Sequence, residues 1–500
     1  MKNWRSKKEY MRYVKNMIFV LSVLFCICLI GCDAAEGKAT ASLGNVPMDG
    51  VLHVSVKGDG KTADGSEAHP FTTISDALAA AKPSMTISVH TGTYEPFEVN
   101  DKCSGTEKEP VTICAAEGEK PVIQSKKDIG IHLINVDNIV LSGLEVIGGT
   151  HGIYYESTPD QGEKALENIT IQNCVVHDIN GTHGICVYAA NDKAPVKNIT
   201  MENCEVFDCR CDSSESTVFN GNIDGFTIRN NKIHDNDNIG IDMIGFEGTA
   251  KHGDDYQGNP YDSDFVRNGK CYGNAVYTIS TLGNKAYQEG EGYTLCAGGI
   301  YVDGGQNIEI YNNFIYNCDI GIEVATEHSP MDNPLFHVSG VEVHDNIIAN
   351  CQGYCGLAFG GYDSDLGLTE DCSFHNNTFI DNPIQIVVQR SSRNQIHHNL
   401  FVGGEVGIEY NTDCAETDLI NEFGENYFCM DSEIKDLLSI EHYGESRIFP
   451  KKMQERQRTI DNRKDALNGI CSNIDGFGSS FLPDEAIISF YEAHLNNSRK

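Results

Sequence analysis

The chain has 500 residues, with 72 Asp and Glu against 37 Lys and Arg, a formal charge of −35 at pH 7. Such a field repels nucleic acid, and it repels polyanionic sugars unless a bound cation bridges them. One long apolar run occurs, near the start, so the remainder reads as a soluble chain.

Lys2, Arg5, Lys7, Lys8, Arg12 and Lys15 precede that run, which extends from Met17 to Ile30 and ends in Leu29-Ile30-Gly31-Cys32. It is short for a bilayer span. A charged start, a short apolar core and small residues before a cysteine resemble the lipobox of bacterial lipoproteins. The resemblance implies a signal peptide over residues 1–31 and lipid on the sulfur of Cys32. The protein is then extracytoplasmic and meets the cell membrane through its anchor alone. A plain signal anchor is the alternative. Residues 32–50 read as a tether, small and polar without periodicity.

From residue 51 the chain shows a strand, a Gly-rich loop, then Ser75–Lys82 as one short helix with Ser75 as its cap. Thr86–His90 reads as a strand and Gly92-Thr93-Tyr94 as a turn. Farther on, short alternating runs recur: NITIQNC, NITMENC, GFTIRNN, NIEIYNN, VEVHDN, CSFHNN, NQIHHN. Their second polar position falls at Cys174, Cys204, Asn231, Asn274, Asn313, Asn346, Asn377 and Asn399, spaced by 22 to 43 residues. That period is too long for hairpins and carries no helix-pair pattern, which leaves a coil of stacked strands. An amide at each sharp turn tolerates left-handed backbone and, at a rung spacing of roughly 4.8 Å, bonds to the amides above and below. A second column follows: Gly152-Ile153, Gly184-Ile185, Gly240-Ile241, Gly299-Ile300, Gly321-Ile322, Gly356-Leu357 and Gly407-Ile408. Its aliphatic residue points inward, so the next residue points outward. The predicted fold is all-β, a single-stranded right-handed parallel β-helix with a short N-terminal capping helix, over residues 51–430. Residues 431–500 lose the repeat and read as a C-terminal cap or irregular extension.

The strand, Gly-rich loop, Pro-Phe, short helix, strand and Gly-Thr-Tyr of residues 51–94 resemble the amino-terminal cap of right-handed parallel β-helices of the pectate lyase-like superfamily. The resemblance covers about 51–430 and speaks to fold more than to activity, because lyases, hydrolases, epimerases and phage tailspikes share it.

Of sixteen cysteines beyond Cys32, none forms a zinc-type spacing. Cys174 and Cys204, on successive rungs, are either a disulfide or two free buried thiols.

Two insertions, about Phe246–Phe265 and Ser280–Ala297, border one outward column on adjacent rungs, and loops of that length in a compact coil are usually functional. That column carries Asp242, Tyr301 and Glu323, with Asp303 pointing the same way and Glu215 or Ser216 one rung earlier. Asp303 and Glu323, on adjacent rungs, can approach to the roughly 5–9 Å at which two carboxylates split a glycosidic bond. The same stack, Asp242 with Glu215, offers oxygens of the kind that hold Ca²⁺. A lyase needs instead a cationic base, for which Arg267, Lys270 and Lys285 stand in the same rung, with His252 and His328 behind them. Asn238-Ile239-Gly240-Ile241-Asp242 resembles the Asp-Asp-Gly-x-Asp calcium turn of family-nine pectate lyases, with Asp242 alone of the three acids retained. His151-Gly152 and His183-Gly184 resemble the Gly-His-Gly of polygalacturonases but recur as a structural repeat does. Tyr301, Glu327, His328 and Tyr287 are the predicted substrate contacts.

The sequence therefore predicts a monomeric extracytoplasmic polysaccharide-degrading enzyme, a uronate lyase with Asp242, Asp303, Glu323, Arg267 and Lys285 in catalysis. A glycoside hydrolase using Asp303 and Glu323, or a non-catalytic glycan binder, is the alternative.

Overall fold

The structure, a computed structural model, describes residues 50–362, 367–410, 420–424, 426–429 and 447–448. The lipobox, the tether and most of 431–500 lie outside the described residues. Among the described residues no helix is long and apolar enough to cross a membrane.

Each rung visits three parallel sheets in turn. One rung runs through Leu166–Gln172 in the first sheet, Val175–His177 in the third and His183–Ala189 in the second. The next rung pairs with it in parallel at all three places. This is the predicted right-handed parallel β-helix. The coil runs on past the repeat, through Tyr427–Cys429, and Arg447–Ile448 adds one further parallel strand to the third sheet.

The asparagine column is continuous. Asn313 Oδ1 accepts from the backbone N–H and the Nδ2 of Asn274, at 3.0 and 2.9 Å. Its own Nδ2 donates to Asn346 Oδ1 and to the carbonyl of Cys271, both at 3.0 Å. The same pattern links Asn231, Asn274, Asn346, Asn377 and Asn399 and continues to Asn426. Left-handed backbone belongs to the residue before each ladder amide, as at Asn230, Asn312 and Asn376, rather than to the amide itself. The ladder residue is thereby free to face inward, where it satisfies carbonyls that the bend takes out of the sheet. Cys174 and Cys204 cap this column as free buried thiols rather than a disulfide. Each lies against the carbonyl two residues before it.

The aliphatic column is also in register. Ile153, Ile185, Thr217, Ile241, Ile300, Ile322, Leu357, Ile386 and Ile408 pair in succession through the second sheet. Each fully buried aliphatic side chain contributes about 1.5–3 kcal/mol. The open end of the coil is covered by a helix over Ile74–Ala80, which buries Ile74, Ala77 and Leu78. Its cap is Thr73 rather than Ser75, because the Thr73 hydroxyl accepts the Asp76 N–H at 3.1 Å and donates to Asp76 Oδ2 at 2.7 Å.

Candidate active site

The outward column of the second sheet runs Val218, Asp242, Tyr301, Glu323 and Ala358 in direct register. The rung before Asp242 thus supplies Val218, not Glu215 or Ser216. Thr217 takes the inward position there, and Glu215 falls just before the start of the strand. There the Glu215 carbonyl accepts from His183 Nδ1 at 2.8 Å, with a carboxylate oxygen 3.7 Å from the same nitrogen.

Although alternation aims them outward, these groups are covered. Asp242 is 2% exposed, Tyr301 6% and Asp303 6%. Three loops cover them. The first insertion leaves the end of Ile241–Ile244 and is held by buried Asp264, which accepts the Gly248 and Ala250 N–H groups at 2.6 Å. The second enters the start of Gly298–Asp303 and hangs on buried Asp319, which accepts the Thr281 and Ala297 N–H groups at 2.9 and 3.1 Å. A third loop follows Ile320–Ala325 and carries Glu327, His328 and Phe336. It is locked to the first insertion by His328 Nε2 against Glu247 Oε1 at 2.8 Å, by paired amides of Asn259 and Asn333, and by Phe246 and Tyr261 against Phe336.

Six carboxyls gather here: Glu215, Asp242, Asp303 and Glu323, with Glu247 and Glu327 exposed at the edge. Burial and then the charges of Glu215, Asp303 and Glu323 push the Asp242 carboxyl well above its ordinary range. Its Oδ1 has no hydrogen-bond partner. Burial, then Glu327 and Glu247, raise Asp303 in the same way, although the Glu327 N–H donates to its Oδ1 at 3.2 Å. Glu215 is pushed up to about 7 by burial and by Glu247 and Glu327. Tyr301, between Asp242 and Glu323, stays a neutral phenol for the same reasons. Tyr287 enters from the second insertion, accepts from Asn238 Nδ2 at 3.0 Å and feels Glu215 and Glu327. Two buried carboxylic acids held neutral beside more exposed carboxylates are the elements of acid–base chemistry.

The structure does not bring the predicted bases to this cluster. Arg267 and Lys270 belong to the first sheet, and neither is among the charges that shift Asp242, Asp303 or Glu215. Arg267 donates to Asn222 Oδ1 and the Phe265 carbonyl, both at 3.1 Å, and Lys270 pairs with Glu309 at 2.7 Å. Lys285 sits exposed in a single 3₁₀ turn of the second insertion. Sharing a rung is not sharing a face, because one rung turns through three sheets.

Glu247 and Tyr188 were not visible in the sequence. Neither follows the repeat, and Glu247 opens an insertion with no pattern of its own. Tyr188 lies on the second sheet with Tyr154, ring centroids 6.4 Å apart, and His132 stacks on Tyr154 at 5.1 Å. His151 and His183 flank this aromatic stretch, and burial brings both down to about 4, so they are neutral imidazoles at neutral pH.

Among the described residues, the acid cluster does not bring three ligand atoms within 4.8 Å of one another. The orphan oxygen of Asp242 suits a cation, and no chemical step below depends on one.

Residues 52–242 match the family described as Pel9A-like, right handed beta helix region, and residues 293–423 match right handed beta helix region. The uncharacterized protein YwoF of Bacillus subtilis (strain 168) is 33% identical over 400 residues, covering 73% of this chain and 78% of YwoF. The chain belongs to the YwoF family, within the pectate lyase-like superfamily of right-handed β-helices. Among solved structures it is similar to the GH136 lacto-N-biosidase from Eubacterium ramulus, with a TM-score of 0.53 and 14% identity, over 76% of this chain and 68% of that one. It is also similar to pectate lyase Pel9A, with a TM-score of 0.43 and 14% identity, over 69% of this chain and 79% of the lyase. At these identities the likeness concerns the fold.

Proposed function

We propose that this protein is a carbohydrate-active enzyme that cleaves glycosidic bonds of a polysaccharide, with Asp303 as the acid and Glu323 as its partner carboxylate. The observation that carries this is the pair of buried, neutral carboxyls Asp242 and Asp303 beside Tyr301, with Asp242 and Glu323 in register with Tyr301 on the rungs before and after it and Asp303 two residues along its own strand. A protonated Asp303 donates its proton to the glycosidic oxygen as the bond breaks, and the Glu323 carboxylate stabilises or attacks the anomeric carbon, or activates water against it. Asp242, one rung behind, keeps its proton, while burial and the Glu327 and Glu247 carboxylates keep Asp303 neutral. Tyr154 and Tyr188 on the same sheet, together with Tyr287 from the second insertion, give apolar faces for sugar rings. Glu327 and His328 shape the mouth.

Uronate lyase chemistry is the second reading, favoured by the match of residues 52–242 to the Pel9A-like description. It needs a cationic base, and Arg267 and Lys270 are bonded elsewhere, so Lys285 would have to fold inward with its loop. We further propose a monomer lipidated at Cys32 and working outside the cytoplasm. The two chemistries separate in one assay. Hydrolysis yields new reducing ends without unsaturated-product absorbance, whereas a lyase yields both and loses activity with its base.

A further inference from the structure

Away from the loop-covered groove, the described residues hold one group of three metal-type donors within 4.8 Å of one another: Glu309, Glu342 and His344. They stand on the outward face of the first sheet. Glu309 pairs directly with Glu342 across two neighbouring strands, and Tyr311 with His344. Like charges placed directly opposite on adjacent strands are destabilising unless a cation intervenes. One ammonium is at hand, Lys270, in register with Glu309 and bonded to its Oε2 at 2.7 Å. A single lysine therefore serves two facing carboxylates.

The third sheet supplies a comparison. The same His-Asp pair stands at strand ends there, and in each case the imidazole bonds the following aspartate: His177 to Asp178 at 2.7 Å and His234 to Asp235 at 2.6 Å on the third sheet, His344 to Asp345 at 2.9 Å on the first. Each ring also turns its Nε2 to a glutamate of the preceding rung: Glu145 at 3.3 Å, Glu205 at 3.1 Å and Glu309 at 3.2 Å. That much is a structural turn element. At His234 the lysine Lys232 bonds the very oxygen that meets the ring. Only at His344, among the described residues, does a second carboxylate join and leave that oxygen to the cluster.

We propose that Glu309, Glu342 and His344 form a binding site for a first-row divalent metal ion of the zinc class. Asp345 takes the Nδ1–H of His344 and leaves the Nε2 lone pair facing the carboxylates, the tautomer a metal requires. Lys270 holds the outer oxygen of Glu309. His375, whose Nδ1 accepts from Asn376 Nδ2 at 3.1 Å, donates Nε2–H to Glu342 Oε1 at 2.9 Å. Each ligand so has a fixed outer partner. One imidazole with two carboxylates selects zinc-class ions over Ca²⁺ and Mg²⁺, and three protein ligands leave a position for water. The ion binds strands of two consecutive rungs together, so it acts as a clasp on the coil.

The test is calorimetric titration of the purified full-length protein with Zn²⁺, beside thermal melts. Wild type should take up one equivalent that Glu342→Gln and Glu309→Gln each lose or weaken at least tenfold, and that His234→Gln retains. Zn²⁺ should raise the melting temperature of wild type but not of Glu342→Gln. Glu342 is exposed, so its substitution leaves the fold intact. Absence of Zn²⁺ uptake by wild type, or equal uptake by both glutamine variants, overturns the site. Ca²⁺ binding as tightly as Zn²⁺, and lost in the same variants, overturns the assignment of the ion.

Discussion

Asp242 lies directly opposite Tyr301 on adjacent strands of the second sheet, and Tyr301 directly opposite Glu323, so an acid, a phenol and an acid stand in one line along the coil. Asp303, two residues beyond Tyr301, enters the same line from the side. The chemistry proposed for the site depends on this line and on the loops that keep water from it.

Asp303→Asn and Glu323→Gln should each lower turnover by roughly a hundredfold or more, while stability changes little or rises. The reason for the rise is that Asn cannot charge in a buried place already crowded with carboxyls. Melting curves beside rate measurements check both halves; a large loss of stability in Asp303→Asn would show that the residue holds the fold instead.

Glu215 gives the pH dependence. Its folded value of about 7 lies above its ordinary value of 4.5, so the folded state prefers the proton. Its contribution to stability is full below about 4.5 and is lost as pH rises toward and past 7. Melting temperature should fall between pH 5 and pH 8, and Glu215→Gln should flatten that slope. A slope unchanged in the variant removes Glu215 from the account.

Asn313→Leu takes away the acceptor of the Asn274 backbone N–H and Nδ2, and the donor to the Cys271 carbonyl. Each stranded buried group costs about 1–3 kcal/mol, so chemical denaturation should show a loss of roughly 2–5 kcal/mol. A loss below 1 kcal/mol would mean that the ladder is not what fixes the turns.

The ladder is also why the fold was legible. Repeats that place an inward amide and an inward aliphatic side chain on each rung leave a pattern that survives insertions of any length. Register within a rung was harder: residues 205–217 have no Gly-Ile pair, so counting placed Glu215 where Val218 stands. The acids Asp242, Asp303 and Glu323 came from strand alternation and were brought together as expected. Arg267 and Lys270 were drawn in by closeness in sequence, which in a three-sided coil says little about which face a residue occupies. Glu247 and Tyr188 depend on how loops and neighbouring strands lie over the sheet, and no spacing rule encodes that.

Anchoring has its own check. Leu29-Ile30-Gly31-Cys32 has lipobox spacing, so Cys32→Ala should leave the precursor unprocessed or release it from the membrane. Fractionation and metabolic labelling with a fatty acid would show it, and a variant as processed and as labelled as wild type refutes lipidation at Cys32.

The most direct measurement is a panel of neutral, anionic and amino-sugar polysaccharides incubated with wild type and Asp303→Asn, read for new reducing ends and for unsaturated product, with and without a chelator. The account predicts reducing ends without unsaturated product, indifferent to the chelator, and absent in Asp303→Asn. Cleavage that persists undiminished in Asp303→Asn, or unsaturated product that vanishes with the chelator, would contradict it.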